Sequence, residues 1–276
     1  MKKHKGIRKT ILFFSLIVIT FLINLPIITM ILNSFKSNSE MRTSTHILPQ
    51  NFTLENYLHL HTQTMFWTQF KNSVIVTFWG TLLSIIVAAF AGFAISRFRS
   101  TFISIYSKSL LMLQMFPIIL VLIPLFIMFR HLELINTLYS VIILYVTLHL
   151  PFAIWMYKGY FDSIPRELEE AARMDGCNRF QTFIKIILPI SGPGIAAVAI
   201  FSFLFSFNEY LIANIFLKTE DVMTIPVGIQ LFMQQYSSDW GSITAAATLT
   251  MVPVFLFFLF VQKYFIAGSA AGAVKG

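Results

Sequence analysis

Two groups of polar residues stand out in this chain, and neither is laid out for covalent chemistry. The first is the charged island Glu170-Ala171-Ala172-Arg173-Met174-Asp175-Gly176, answered further on by Ile186-Ile187-Leu188-Pro189. It offers carboxylates, small residues and a turn, which suit docking against another surface. The second is Ser202, Ser206, Asn208 and Glu209, set in an otherwise Phe-rich apolar run. Hydroxyls, an amide and one carboxylate in such a run could line a path for a polar solute. The sequence contains no Gly-x4-Gly-Lys-Ser/Thr phosphate loop, no His-Glu-x-x-His, no Gly-x-Ser-x-Gly and no cluster of cysteine ligands. It therefore predicts no ATP site, no metal site and no catalytic residue in this chain, so energy must come from a partner or a gradient. The single cysteine, Cys177, excludes an intrachain disulfide framework and reads as a small packing residue.

The island must be positioned by local structure that the sequence spells out. Ser163 is a candidate cap for a helix whose first turn tolerates Pro165, because the missing amide had no intrahelical partner there. Glu167, Glu169 and Glu170 then lie near the positive end of the helix dipole. Gly176 supplies the left-handed residue that ends many helices. Asn178-Arg179-Phe180-Gln181 has the form of a capping box that restarts a helix. Phe180, Phe183, Ile184 and Ile187 recur at the spacing of one apolar helix face. Pro189 and Gly192-Pro193-Gly194 then break the chain before the next apolar segment. Ala171 and Ala172 lack bulk, so a partner could approach the helix backbone closely.

The rest of the chain is lipid-like. Hydrophobic residues make up 57% and charged residues 12%, against roughly 25% charged in a globular norm, and the mean hydropathy is +0.75. Six apolar runs approach the roughly 20 residues that cross a bilayer: about 11–32, 73–95, 110–129, 138–157, 195–216 and 243–261. The predicted class is an all-α integral membrane protein. Pro26, Pro117, Pro124, Pro151 and Pro253 fall inside these runs, where a missing amide and a ring clash favour kinks. His149 reads as a hydrogen-bonded packing residue. Small residues at 88–92 favour close helix contact.

Orientation follows from Lys and Arg. With the N-terminus inside, only Lys36, Arg42, Lys71, Arg130 and Lys218 of the 20 Lys and Arg lie outside. That bias places both termini and the island in the cytoplasm. It also makes the formal net charge of +8 a topology signal that needs no nucleic-acid partner. The length of the first apolar run, and the absence of a small-residue cleavage pattern after it, favour a retained anchor over a signal peptide. The expected division is 1–71 (basic N-terminus, first span and external loop), 72–266 (remaining spans with the island at 163–190) and 267–276 (tail).

Glu-Ala-Ala, three residues, Gly, nine residues, then Ile-x-Leu-Pro resembles the EAA loop of permease subunits of bacterial ABC importers. Glu170, Ala171, Ala172, Gly176, Ile186, Leu188 and Pro189 fill every fixed position, and Asp175 lies within the motif. Further stretches resemble the carbohydrate-uptake subfamily, in particular the maltose-type second permease: Thr53-Leu54-Glu55-Asn56-Tyr57, Phe207-Asn208-Glu209-Tyr210-Leu211, Thr224-Ile225-Pro226-Val227-Gly228 and Asp239-Trp240-Gly241. The resemblance implies a coupling helix that sits in a cleft of a separate ATPase. It further implies a second homologous permease, two ATP-binding-cassette subunits carrying ATP-Mg, an extracytoplasmic solute-binding protein and a sugar substrate. In the same way it implies residence in the bacterial inner membrane as a multi-pass, non-enzymatic subunit without a cofactor. The C-terminal Gly272, Val274, Lys275 and Gly276 resemble the end that reaches into the ATPase dimer in maltose-type permeases.

Ser202, Ser206 and Glu209 fall on one helical stripe with Asn208 beside it. A charge buried in a span costs about 2.5 to 3.5 kcal/mol, so it usually faces a cavity or a partner. Counting from Ile195 places Glu209 roughly 21 Å along its span. Two readings of Asn208 and Glu209 stay open at this point: lining the translocation path or its outer gate, and a structural contact to a neighbouring helix. Other functions for the whole chain are a permease for glycerol phosphate or another small solute and, in a different class, a gradient-driven secondary transporter. The latter would not need the EAA loop.

Overall fold

A computed structural model describes residues 2–43, 45–235 and 239–273. All regular structure among them is helical. In chain order the helices are α1 (Lys2–Asn33), α2 (Asn38–Thr43), α3 (Glu55–Gln63), α4 (Phe66–Arg97), α5 (Thr101–Met115), α6 (Ile118–His131) and α7 (Leu138–Asp162). There follow α8 (Glu167–Met174), α9 (Arg179–Thr182), a π-helical turn (Phe183–Ile187), α10 (Leu188–Ile190), α11 (Gly192–Asn208), α12 (Leu211–Phe216), α13 (Ile225–Gln235) and α14 (Trp240–Ala273).

Four helices are individually long and apolar enough to cross a membrane, within α1, α4, α7 and α14, and the number rises to six if each of two bent pairs counts as one span. The expected third span, 110–129, is one of these pairs: α5 and α6 meet at 101°. The break falls at Phe116-Pro117, where both residues are extended, because Pro disfavours helix in the residue before it. The other prolines predicted to kink, Pro26, Pro124, Pro151 and Pro253, lie inside continuous helices. The expected fifth span, 195–216, is also interrupted. Its first part, α11, stops at Asn208, Glu209 is extended, and a separate short helix, α12, follows.

The chain divides into two compact units, Met1–Trp67 with Ile229–Val252, and Thr68–Gly228 with Pro253–Gly276. In the first, α2 and α3 are tied to Asp239 and the first turn of α14. Asn38 donates to Asp239 at 2.6 Å and accepts from the Gly241 amide at 2.9 Å, and His59 shares a 3.1 Å hydrogen bond with Ser242. Burial pushes the Asp239 carboxyl up, but hydrogen bonds from Ser242 and Asn38 and the nearby His59 outweigh it, and its pKa is lowered.

The second unit has two apolar clusters. One gathers Val76, Leu122, Phe129, Tyr145, Ile212 and Phe216 from α4, α6, α7 and α12. The other gathers Ala89, Leu110, Ile154, Tyr157, Phe183 and Ile187 near the C-terminal ends of α4 and α7. Gly92 makes the second cluster possible. A Cβ there would lie 2.6 Å from Tyr157 Cβ and 3.1 Å from the Ile154 carbonyl, so α4 and α7 meet backbone to backbone at the small-residue run.

Candidate coupling site

The island folds into a helical hairpin that leaves α7 and returns through α11. Ser163 does not cap its first helix. It closes α7, its hydroxyl donating to the Tyr160 carbonyl at 2.6 Å, and α8 starts without a side-chain cap. Gly176 has φ +84, the left-handed conformation expected of it. The capping box is complete: Asn178 accepts from the Gln181 amide and Gln181 accepts from the Asn178 amide, both at 2.9 Å.

The predicted apolar face splits. Phe183 and Ile187 are buried, but Phe180 is 64% exposed and Ile184 36%. Ile184 sits inside a π-helical turn, in which the Leu188 amide bonds the Phe183 carbonyl, whereas Phe180 precedes that turn, in α9. A wider turn rotates the side chains away from α-helical register. Phe183 packs with Phe93 of α4 at 4.6 Å between ring centres, and also with Phe161 of α7. The segment bearing Arg179–Ile190 meets α11 at 78°, and at that corner Gly194 lets the backbone lie against the Tyr160 ring.

Burial sorts the motif into two faces. Glu170, Ala171, Asp175, Gly176 and Pro189 are exposed, Ile186 and Leu188 are half-buried, and Ala172 is buried. Ala172 is therefore closed to another chain, whereas Ala171 is open to one. Met174 projects from the outward face with 89% exposure.

The inner face carries a partnership that sequence reasoning missed. Glu169 is paired with Arg97, the last residue of α4, and both side chains are almost fully buried. Arg97 also donates to the Ile164 carbonyl at 3.1 Å and to the Ser96 hydroxyl at 3.0 Å. Ser96 donates to Asp162 at 2.6 Å, and Asp162 pairs with Lys158 at 2.6 Å. One continuous network thus ties α8 to the ends of α4 and α7. Glu169 stands beside the motif and Arg97 lies 72 residues before it, so the only sequence signal was a basic residue at the end of the second apolar run.

The second polar group is dispersed by the break after Asn208. Ser202 and Ser206 are buried, and neither hydroxyl has a protein partner. Ser206 faces Gly80 of α4, where an added Cβ would lie 3.1 Å from its oxygen. Asn208 is exposed and donates to the Leu204 carbonyl at 2.8 Å. Glu209 accepts from the Tyr145 hydroxyl at 2.8 Å and from the amides of Ile212 and Ala213 at 2.8 and 3.1 Å. The carboxylate therefore caps α12 and pins the break to α7. Thr77, Thr81 and Ser84 of α4 are likewise buried without a protein partner. His149, expected to be hydrogen-bonded, has neither ring nitrogen bonded and packs 3.6 Å from the Phe205 ring centre. At the C-terminus, Gly272 falls in the last turn of α14, which is helical through Ala273 where a tail was expected. Val274, Lys275 and Gly276 lie outside the described residues.

Residues 80–268 match the family described as binding-protein-dependent transport system inner membrane component. The chain belongs to this family. It is 33% identical to the arabinooligosaccharides transport system permease protein of Halalkalibacterium halodurans, over 94% of this chain and 93% of that one. It is also 33% identical to the trehalose/maltose transport system permease protein of Thermococcus litoralis, over 99% of each. In fold it is similar to a chain of a bacterial ABC transporter involved in the import of alginate, with a TM-score of 0.76 at 24% identity, covering 95% of this chain and 97% of that one. A chain of the alginate transporter in complex with a pentasaccharide-bound periplasmic protein matches with a TM-score of 0.65 at 17% identity, covering 93% and 94%. The resemblance to sugar ABC permeases read from the motifs thus extends over nearly the whole chain. These relatives are transport-system permease subunits, and this chain is a membrane permease of that kind and not an enzyme.

Proposed function

We propose that this chain is a six-span subunit of an importer that moves a sugar or oligosaccharide into the cytoplasm. In this reading both termini and the hairpin are cytoplasmic, α5 with α6 supplies the third span, and α11 with α12 supplies the fifth. The hairpin docks on one of two ATP-binding-cassette subunits, which carry ATP-Mg, while a second homologous permease and an external solute-binding protein complete the assembly. The named functions of the relatives support a carbohydrate substrate. The observation that carries the reading is the two-faced hairpin: Glu170, Ala171 and Met174 are presented outward while Glu169 anchors the inner face to Arg97. A docking surface held in this way transmits a push to α4, α7 and α11 together.

In the same proposal Asn208 and Glu209 border the translocation path, while Ser202 and Ser206 reach it only when α11 separates from α4. Gly272, Val274, Lys275 and Gly276 are proposed to contact the ATPase dimer.

The experiment is ATP-dependent sugar uptake in proteoliposomes carrying the co-purified complex, wild type against Gly176→Pro, with ATP hydrolysis and subunit association measured alongside. Proline cannot adopt the positive φ of residue 176, so the hairpin turn should be lost. The expected result is lost uptake and uncoupled hydrolysis while the membrane subunits remain assembled. Undiminished uptake that needs no ATP and collapses with an uncoupler would overturn the proposal in favour of a gradient-driven transporter. For the path, Glu209→Gln should alter transport rate or specificity in a stable complex, and unchanged values would remove Glu209 from it.

A further inference from the structure

Next to the Lys158–Asp162 pair lies a cavity of about 760 Å³, walled by the end of α4, the turn into α5, α5 itself and α7. Three cations line it, Arg99, Lys108 and Lys158, and no carboxylate does. Lys158 is engaged by Asp162, whereas Arg99 and Lys108 have no acidic partner among the described residues.

Two further groups on the wall lack partners. Ser107 is 7% exposed and its hydroxyl makes no hydrogen bond among the described residues, and the buried indole N–H of Trp155 has no partner there either. An unpaired donor in a low-dielectric wall is costly unless something accepts from it. The remaining lining combines the hydroxyl residues Ser100, Thr101 and Ser104 with an apolar part formed by Ile95, Phe98, Ile103 and Ile105, and Phe102 and Ile105 continue outward as exposed apolar surface with 76% and 60% exposure. A soluble anion would satisfy the cations and leave the apolar wall unused. An acidic protein surface would have no use for the exposed Phe102 and Ile105 below it.

We propose that this cavity binds an anionic phospholipid. The phosphate is held by Arg99 and Lys108, with Ser107 as a neutral donor, and an acyl chain lies along Ile103 and Ile105. Basic pockets between membrane helices, with an aromatic at headgroup depth, are built for this chemistry. The cavity shares Lys158 and Arg99 with the space beside Arg97, Asp162 and Arg166, so a bound headgroup would adjoin the network that anchors the hairpin. The inference rests on membrane residence and not on ATPase coupling, so its test needs no transport readout.

The test is native mass spectrometry of the detergent-purified full-length chain, exchanged into micelles containing equal phosphatidylglycerol and phosphatidylcholine. Phosphatidylglycerol should be retained about tenfold over phosphatidylcholine, a factor within reach of two cations near the membrane surface. The double variant Arg99→Gln with Lys108→Gln should bring the two lipids close to parity, and both altered side chains are exposed, so the fold is spared. Lys71→Gln, a change at an exposed residue outside the cavity, should leave the preference intact. Equal retention by the unaltered chain, an unchanged preference in the double variant or its loss in Lys71→Gln would each overturn the proposal. Displacement of the lipid by millimolar inorganic phosphate would also overturn it, reassigning the cations to a soluble anion.

Discussion

The hairpin end of the second unit and the middle of its α4–α11 contact both bury polar side chains, and they treat them in opposite ways. At the hairpin, Glu169, Arg97, Ser96 and Asp162 are joined in one chain of ion pairs and hydrogen bonds. Along α4 and α11, Thr77, Thr81, Ser84, Ser202 and Ser206 are equally buried, yet none of their hydroxyls meets a partner among the described residues. A satisfied network specifies one arrangement, because moving any member strands another. Small hydroxyl side chains without mutual bonds allow close packing but do not fix register. The hairpin end is thus a stiff lever by its bonding, and the α4–α11 contact is a seam whose hydroxyls do not fix its register.

The largest effect should come from breaking the lever. Arg97→Glu places like charges together in a buried site, where removing one partner of an ion pair costs about 3 to 5 kcal/mol. Uptake should fall to background and the thermal midpoint should drop. Adding Glu169→Arg should restore part of both, and a double-mutant cycle in which the two changes are simply additive would deny the pairing any energetic role.

Next in size is a contrast between two glycines of α4. Gly92→Ala forces a methyl to within 2.6 Å of Tyr157 Cβ and about 3.1 Å of a backbone carbonyl, an overpacking worth about 1 to 3 kcal/mol. Gly80→Ala meets only the Ser206 hydroxyl at 3.1 Å, so its midpoint shift should be clearly smaller. Equal shifts from chemical denaturation of the two variants would show that the seam is packed as tightly as the lever.

Ser206→Ala should be near neutral or stabilising by up to about 1 kcal/mol, since it removes a buried hydroxyl that has no protein partner. A loss of stability comparable to that of a hairpin variant would erase the contrast.

The smallest effect concerns acid. The Asp239 carboxyl is held below its ordinary value of 3.8: burial raises it, and the bonds from Ser242 and Asn38 with the nearby His59 more than compensate. A lowered folded-state pKa contributes stability that is present above the unfolded value and lost as pH falls through the folded one. Below about pH 4 the first unit should therefore weaken. Asp239→Asn should flatten that dependence when unfolding is followed between pH 5 and 2.

Much of this was legible in the sequence because the signals were local. The apolar runs at 11–32, 73–95, 138–157 and 243–261 lie within continuous helices. Gly176 and the Asn178–Gln181 box read correctly, since each is decided by a few neighbouring atoms. Non-local facts were not legible. The Arg97–Glu169 pair depends on a contact across 72 residues, and the place of Ile184 off the buried face depends on a turn that departs from the 3.6-residue period. Ser163 misled because its hydroxyl bonds equally well to the helix behind it. Glu209 could be recognised as needing a partner, but that Tyr145 and the amides of α12 would supply it required knowing that the helix stops at Asn208.

The π-helical turn at Phe183–Ile187 also bears on how motif spacing should be read in other chains. A π turn takes up one residue more than an α-helix needs to cover the same rise. The nine residues between Gly176 and Ile186 are therefore longer in sequence than the span they bridge. A protein with one residue fewer there could straighten the turn into ordinary helix and still deliver its Leu-Pro pair to the same corner. A search that insists on the full count would pass over such a chain, although its hairpin would have the same shape.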